Sequence, residues 1–329
     1  MVYRYALILL LAMLLAACGS QTAEPTATVE PATPTPALSA TDAAPPTGGV
    51  DVALAAIEPV TGVLATVNFQ EITWADYEPE LIQALHAVTL QYGVDWNQVE
   101  NIAMLGEFQD QVLSTLISRI VLRQGAAAAG IKATEEAIAA RVEEEKTSVL
   151  SSGEFPSWEA FLEQYGLSDA YYARLMEDNL LVEQLTEVHA PSREAEQVHA
   201  RHILVKDEAS ATAVFTRLDA GEDWAVLASE LSLDTSNKDA GGDLGWFPRG
   251  VMVPAFEDVA FSLEPGATSD VVATDFGYHI IQVLEKGTRD MDDAMYERMT
   301  SKAFETWFAG QKAVAAIQTI VTFAPAEAE

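Results

Sequence analysis

The 329-residue chain has a single cysteine, Cys18. With no second thiol an intrachain disulfide is impossible and a metal site built on thiolates is excluded, so packing alone must hold the fold. Basic residues are also scarce: 18 Lys and Arg stand against 50 Asp and Glu, a net charge of −32, and none occurs from Tyr5 to Ser118. Such a surface is repelled by phosphate backbones and anionic headgroups, which argues against nucleic acid as a partner. It also leaves the N-terminal third without a patch that could read phosphorylated protein. The apolar run from Ala6 to Leu15 is too short for the roughly 20 residues of a membrane-spanning helix. The length suffices for two folded units plus tails.

That apolar run follows a short segment carrying Arg4 and leads into Leu15-Ala-Ala-Cys18. It has the shape of a secretory signal, and the last four residues resemble the bacterial lipobox, which implies cleavage after residue 17 and lipidation of Cys18. A plain secretory signal with an incidental cysteine is the alternative. Residues 19 to about 52 are rich in Thr, Pro and Ala, as in Thr33-Pro-Thr-Pro36. This composition reads as an extended tether, assigned here to residues 18–58, able to span on the order of 100 Å.

From Gly62 to Thr73 short β-like runs flank a polar turn, and Thr73 is placed to cap a helix over Trp74 to Leu90. Phe108, Val112, Leu116 and Ile120 recur every four residues beside Leu113 and Ile117, one apolar helix face that Gly130 ends. Thr134, Ser157 and Ser168 are candidate caps for three further helices. Near the C-terminus Met295, Met299, Ala303 and Trp307, with Phe304, Phe308, Val314 and Ile317, predict the apolar face of a single helix.

The densest signal lies between these helical stretches. His199-Ala-Arg-His-Ile-Leu-Val205 opens a block that Gly277-Tyr-His-Ile-Ile-Gln-Val283 closes, with Gly241-Gly-Asp-Leu-Gly-Trp-Phe247 between them. Gly241, Gly242 and Gly245 are followed by no Lys-Ser/Thr, so they predict a tight turn, not a phosphate loop. His199 and His202 lie three apart on a strand and face opposite ways, which disfavours a metal-binding pair.

This block resembles the parvulin family of peptidyl-prolyl cis/trans isomerases. The resemblance implies an antiparallel four-stranded sheet with surrounding helices, no cofactor and no metal. His202 and His279 match the family's two histidines, Asp234 stands where parvulins carry Asp or Cys, and Thr274 matches the threonine of the histidine network. Leu244, Phe247, Met252 and Phe256 correspond to the proline pocket. Whether the histidines act directly or only brace the pocket is left open. The reaction needs no covalent step: rotation about X-Pro faces about 18–20 kcal/mol from amide resonance, and a catalyst must hold the ring, exclude water and favour the twisted amide. Phosphate-directed parvulins carry a basic cluster after the first strand, whereas here Lys206 is followed by Asp207 and Glu208.

The flanking helices, with the Thr-Glu-Glu run at Thr134 and Trp158-Glu-Ala-Phe-Leu162, are similar to the N-terminal region of extracytoplasmic foldases of the SurA and PrsA type, although Phe69 replaces a usual turn glycine. The expected fold is thus multidomain α+β: a split, all-helical SurA-N-like chaperone domain (residues 59–195) with an inserted parvulin-type domain (196–287) and a C-terminal helix (288–329) that packs back on the chaperone part. The implied function is an extracytoplasmic, lipid-anchored foldase isomerising X-Pro bonds of unfolded secreted or envelope proteins. The rivals are a holdase with a structural parvulin unit and an assembly factor for one membrane complex.

Overall fold

The structure is a computed structural model that describes residues 49–323; Cys18, the signal segment and the tether up to residue 48 lie outside the described residues. The chain forms two compact units. Among the described residues, one comprises 49–188 together with 305–323, and the other spans His189–Phe304.

The first unit opens with helix α1 (Gly49–Ala55), strand β1 (Val63–Val67) and strand β2 (Gln70–Thr73). Helix α1 falls inside the stretch read as tether, with Val50 and Ala53 buried, so ordered structure starts before residue 59. Helix α2 (Trp74–Tyr92) begins at Thr73, whose N–H donates to Asp76 Oδ2 at 2.8 Å, and stops at Gly93 in the left-handed region. After the short α3 (Val99–Ala103) comes α4 (Leu105–Ala128), which buries Val112, Leu113, Leu116, Ile117 and Ile120 as the four-residue spacing predicts. Thr134, Ser157 and Ser168 accept from backbone N–H groups at the starts of α5 (Glu135–Ser152), α6 (Trp158–Gln164) and α7 (Asp169–His189).

Arg119, the first basic residue after Arg4, is spent inside this unit. It reaches Glu80 Oε1 at 2.6 Å and Asp178 Oδ2 at 3.1 Å, while Tyr171 donates to Glu80 Oε2 at 2.7 Å. These contacts join α2, α4 and α7 at one register, because breaking one leg would strand a buried charge.

The chain returns to this unit at its end, with a difference from the expected single helix. The helix ends at Val314, which is exposed, and Ile317 lies in a short strand (Ile317–Thr319) that pairs antiparallel with β1, giving the order β2-β1-final strand. The unit is therefore helical with a small three-stranded sheet.

The second unit contains β3 (Glu194–Val205), α8 (Glu208–Asp219), α9 (Trp224–Leu231), β4 (Asp243–Pro248), α10 (Pro254–Ser262), β5 (Val272–Thr274) and β6 (Gly277–Asp290). The sheet is antiparallel in the order β4-β3-β6-β5. The central strands β3 and β6 run past the expected bounds at 196 and 287, pairing Glu194 with Asp290 at their outer end. Helix α11 (Asp293–Val314) starts here, and the final strand described above is β7. Ile203, Val205 and Ile280 pack under α8 and α9 through Ala211, Val214, Trp224 and Leu227. On the other face Val198, Ala200, Ile281 and Val283 pack under α10 through Phe256, Ala260 and Phe261. Only the inner segments are covered on both faces, where Ile203 and Val205 of β3 and Ile280, Ile281 and Val283 of β6 are buried, and a polar residue within them must find partners.

Candidate active site

His202 on β3 lies opposite Ile281, and His279 on β6 lies opposite Leu204, so the two histidines are diagonal neighbours on the α10 face of the sheet. Their rings stack at 5.3 Å with Nδ1 facing Nδ1 at 3.1 Å, and both are buried. Phe256 of α10 meets both ring edges, 5.7 Å from His202 and 5.4 Å from His279.

The other partners arrive on loops laced to the sheet. After α9, Leu233 N–H donates to Leu204 O at 2.7 Å and Ser232 Oγ accepts from Leu204 N–H at 3.2 Å, which lays the loop along the end of β3. Asp234 then sits with Oδ2 at 2.9 Å from His202 Nε2, and its Oδ1 accepts from the Ser236 hydroxyl at 2.6 Å and the Ser236 N–H at 3.1 Å. At the end of β5, Thr274 Oγ1 lies 2.8 Å from His279 Nε2 and accepts from Phe276 N–H at 3.2 Å.

The tautomers follow from this chain of contacts. Asp234 can only accept when ionised, so His202 carries its proton on Nε2; its Nδ1 must accept, so His279 donates from Nδ1; His279 Nε2 accepts from the Thr274 hydroxyl. Each ring nitrogen of the two histidines is then satisfied with both rings neutral. The electrostatics agree. Partial burial pushes Asp234 up, but the hydrogen bonds from Ser236, His202 and Asn237 outweigh it and hold the carboxyl at about 2. Burial lowers His202 against the opposing pull of Asp234, and burial together with the neighbouring His202 brings His279 down to about 4.

These shifts set a stability window. Below pH 6.5 the unfolded chain binds protons that the folded histidines refuse, so stability is lost as pH falls from 6.5 toward 4. At ~1.4 kcal/mol for each unit of depression, His279 alone carries about 3 kcal/mol. Protection factors of the β6 amides in the full chain, corrected for the pH dependence of intrinsic exchange, are expected to fall steeply over this range in the wild type and much less in His279→Gln. Equal slopes would contradict the assignment.

The structure brings His202, Asp234, His279 and Thr274 into one network, and places Phe256 against it with Leu244 and Met252 half-buried on the same cluster. Phe247 corrects the expected pocket. It is 1% exposed, 6.4 Å from Phe256 and 6.1 Å from Phe261, a side chain of the buried cluster; Phe256 is buried too, at 3%, but differs in that its ring meets the edges of both histidines. His199 turns away to Asp243 Oδ1 at 2.8 Å and to Trp246. Among the described residues no group of three or more His, Cys, Asp or Glu is placed to hold a metal. Sequence reasoning missed Asn237, which is buried 2.7 Å from Asp234 Oδ2; a loop asparagine carries no sequence signal. Chemically the site offers neutral imidazoles, one carboxylate and an apolar floor, with no free nucleophile.

Comparison with known proteins matches both units. The PPIC-type PPIase domain family covers residues 184–287, and the SurA-like N-terminal domain family covers residues 49–186. A foldase protein PrsA of Caldanaerobacter subterraneus subsp. tengcongensis is 39% identical over 232 residues, 68% of this chain and 74% of the relative. A foldase protein PrsA of Halalkalibacterium halodurans is 32% identical over 232 residues, 65% of this chain and 67% of the relative. A crystal structure of peptidylprolyl isomerase PrsA from Bacillus anthracis has a TM-score of 0.45 at 27% identity, over 60% of this chain and 89% of that one. The chain belongs to the PrsA foldase family and carries a parvulin-type, PPIC-class peptidyl-prolyl isomerase domain together with a SurA-like N-terminal domain.

Proposed function

We propose that the chain is an extracytoplasmic foldase that isomerises X-Pro bonds in unfolded secreted or envelope polypeptides through the network of His202, Asp234, His279 and Thr274. The observation that carries this reading is the four-residue hydrogen-bonded chain lying on Phe256. A proline ring would rest on Met252, Leu244 and the edge of Phe256. Met suits that role because its thioether adapts to either isomer. The planar amide is stabilised by resonance that polarises it, and an apolar, water-poor seat disfavours that form relative to the twisted one. The neutral imidazoles hold Asp234 and Thr274 in place without presenting a cation to the amide nitrogen.

Lipid anchoring of the chain belongs to the same proposal. The run Ala6 to Leu15 followed by Leu15-Ala-Ala-Cys18 supports lipidation at Cys18, and the Thr/Pro-rich segment supports a tether between membrane and folded units. Among the described residues no helix is long and apolar enough to cross a membrane. We take the domain organisation to be a chaperone unit interrupted by the isomerase unit, supported by the return of residues from Glu305 to the first unit.

The substrate is unphosphorylated. In the loop after β3, Lys206 is followed by Asp207, whose carboxylate caps α8 by accepting from Ser210 N–H at 2.8 Å, and by Glu208; this is no seat for a phosphate. Exchange spectroscopy on matched peptides is expected to show the full chain accelerating Ala-Pro at least about tenfold more than phosphoSer-Pro. Equal or faster turnover of the phosphopeptide would overturn this part.

A further inference from the structure

Asn237 is three residues beyond Asp234, in the turn that leads into the 3₁₀ segment Lys238–Ala240. Its backbone is tied to the histidine strand through one residue: Gly242 N–H donates to Asn237 O at 2.9 Å, and Gly242 O accepts from His202 N–H at 2.9 Å. Its side chain is tied to the same place. Asn237 Nδ2 donates to Asp234 Oδ2 at 2.7 Å and stands 3.4 Å from His202 Nε2. Thus one carboxylate oxygen accepts from Asn237 and from His202 together.

The amide cannot be turned over. A flip would set Oδ1 against the carboxylate, two acceptors face to face. The orientation kept leaves Asn237 Oδ1 closed off from solvent with no hydrogen-bond partner, and the residue is only 9% exposed. An unsatisfied buried acceptor lowers stability. A side chain present only to fill space would not incur that loss, since an apolar residue of similar volume avoids it.

We propose that Asn237 is a positioning residue of the isomerase site: its amide nitrogen clamps the Asp234 carboxylate in the rotamer that faces His202, and so fixes which nitrogen of His202 carries the proton. The proposal rests on reading this network as the active centre. Without the clamp, Asp234 keeps its bonds from Ser236 on Oδ1 but is free to swing Oδ2 away from His202. His202 then exchanges between tautomers. A proton on its Nδ1 forces His279 to accept across the 3.1 Å contact and to donate from Nε2 to Thr274 Oγ1, whose hydroxyl then turns to Gly277 O, so the chain of bonds reverses.

The test uses the full chain, with exchange on an Ala-Pro peptide for kcat and KM and ¹⁵N spectra of the imidazoles for the tautomer of His202. For Asn237→Ala, kcat is expected to fall about fivefold or more with KM within about twofold, and the His202 signature to change from a single Nε2–H tautomer to a mixture. Asn237→Asp keeps the shape, removes the donor and adds a like charge, so it is expected to show the same spectral change with a larger rate loss. A residue needed for packing alone would tolerate Asn237→Leu, which keeps the volume and adds no charge, with wild-type kcat and an unchanged tautomer. An unchanged tautomer with wild-type kcat in the Ala and Leu variants would overturn the proposal. If Asn237→Ala does not fold, Asn237→Leu decides by the same two readouts. Failure of the underlying reading shows itself separately, as a His202→Ala/Asp234→Ala variant that isomerises as fast as wild type.

Discussion

Gly242→Ala is expected to destabilise the isomerase unit by more than about 4 kcal/mol, into the range reached by few single substitutions. Two costs act together. Gly242 has a φ of 75°, a left-handed conformation that a side chain adopts only with strain. More severely, a methyl group there would overlap the carbonyl oxygen of His202, a backbone atom in the central strand that has no freedom to yield. Relief requires β3 and the turn to separate, which removes the bond from His202 N–H to Gly242 O and the one from Gly242 N–H to Asn237 O. Urea unfolding of the full chain, followed by hydrogen exchange of the β3 and β6 amides, checks this. Gly266→Ala is the comparison: it shares a positive φ of 88° but no atom lies within 4 Å of the added carbon, so only the conformational strain of about 1–2 kcal/mol applies. If the two substitutions cost the same, the close approach at His202 is not what Gly242 serves.

Asp234→Ala is expected to lower kcat/KM for an Ala-Pro peptide by about tenfold to a hundredfold, equivalent to about 1.4–2.7 kcal/mol of transition-state stabilisation. The substitution removes the only carboxylate from the network and leaves His202 Nε2–H without its acceptor. His202 can then move its proton to Nδ1, which reverses the bonds through His279 and turns the Thr274 hydroxyl from His279 toward Gly277 O. The fold should survive, because Asp234 is a partly exposed loop residue and not part of either hydrophobic cluster. Asp234→Asn should fall between, since an amide oxygen can still accept from His202 but without charge. Wild-type kcat/KM in Asp234→Ala would show that the carboxylate only finishes the turn.

The parts of this protein legible in its sequence share a physical trait: their signals are local. Thr134, Ser157 and Ser168 each precede a helix and each accepts a backbone N–H there, so a side chain and its partner three residues on decide the element. The four network residues were legible through the resemblance to parvulins, and the structure places them within hydrogen-bond reach.

What stayed hidden depends on distant chain. Strand β7 has three exposed residues with no alternation, and it exists because β1, far upstream in the sequence, offers an open edge. Helix α1 hides at the end of a Pro/Thr/Ala-rich stretch and is ordered where Val50 and Ala53 bury. Phe247 reads as a pocket residue from its neighbours Leu244 and Gly245, yet Phe256 and Phe261 close over it. Asn237 gains its meaning only when the Gly242 bridge brings it against Asp234 and His202. The exposed Phe69, with a φ of 69° that favours glycine, has no account in the packing of its own unit.

The most direct measurement is the cis/trans exchange rate of an Ala-Pro peptide in the presence of the full chain, compared with the His202→Ala/Asp234→Ala variant at equal concentration and equal folded fraction. The account predicts clear acceleration by the wild type and its near-complete loss in the variant. Equal acceleration by both would contradict the assignment of the histidine network as the isomerase centre.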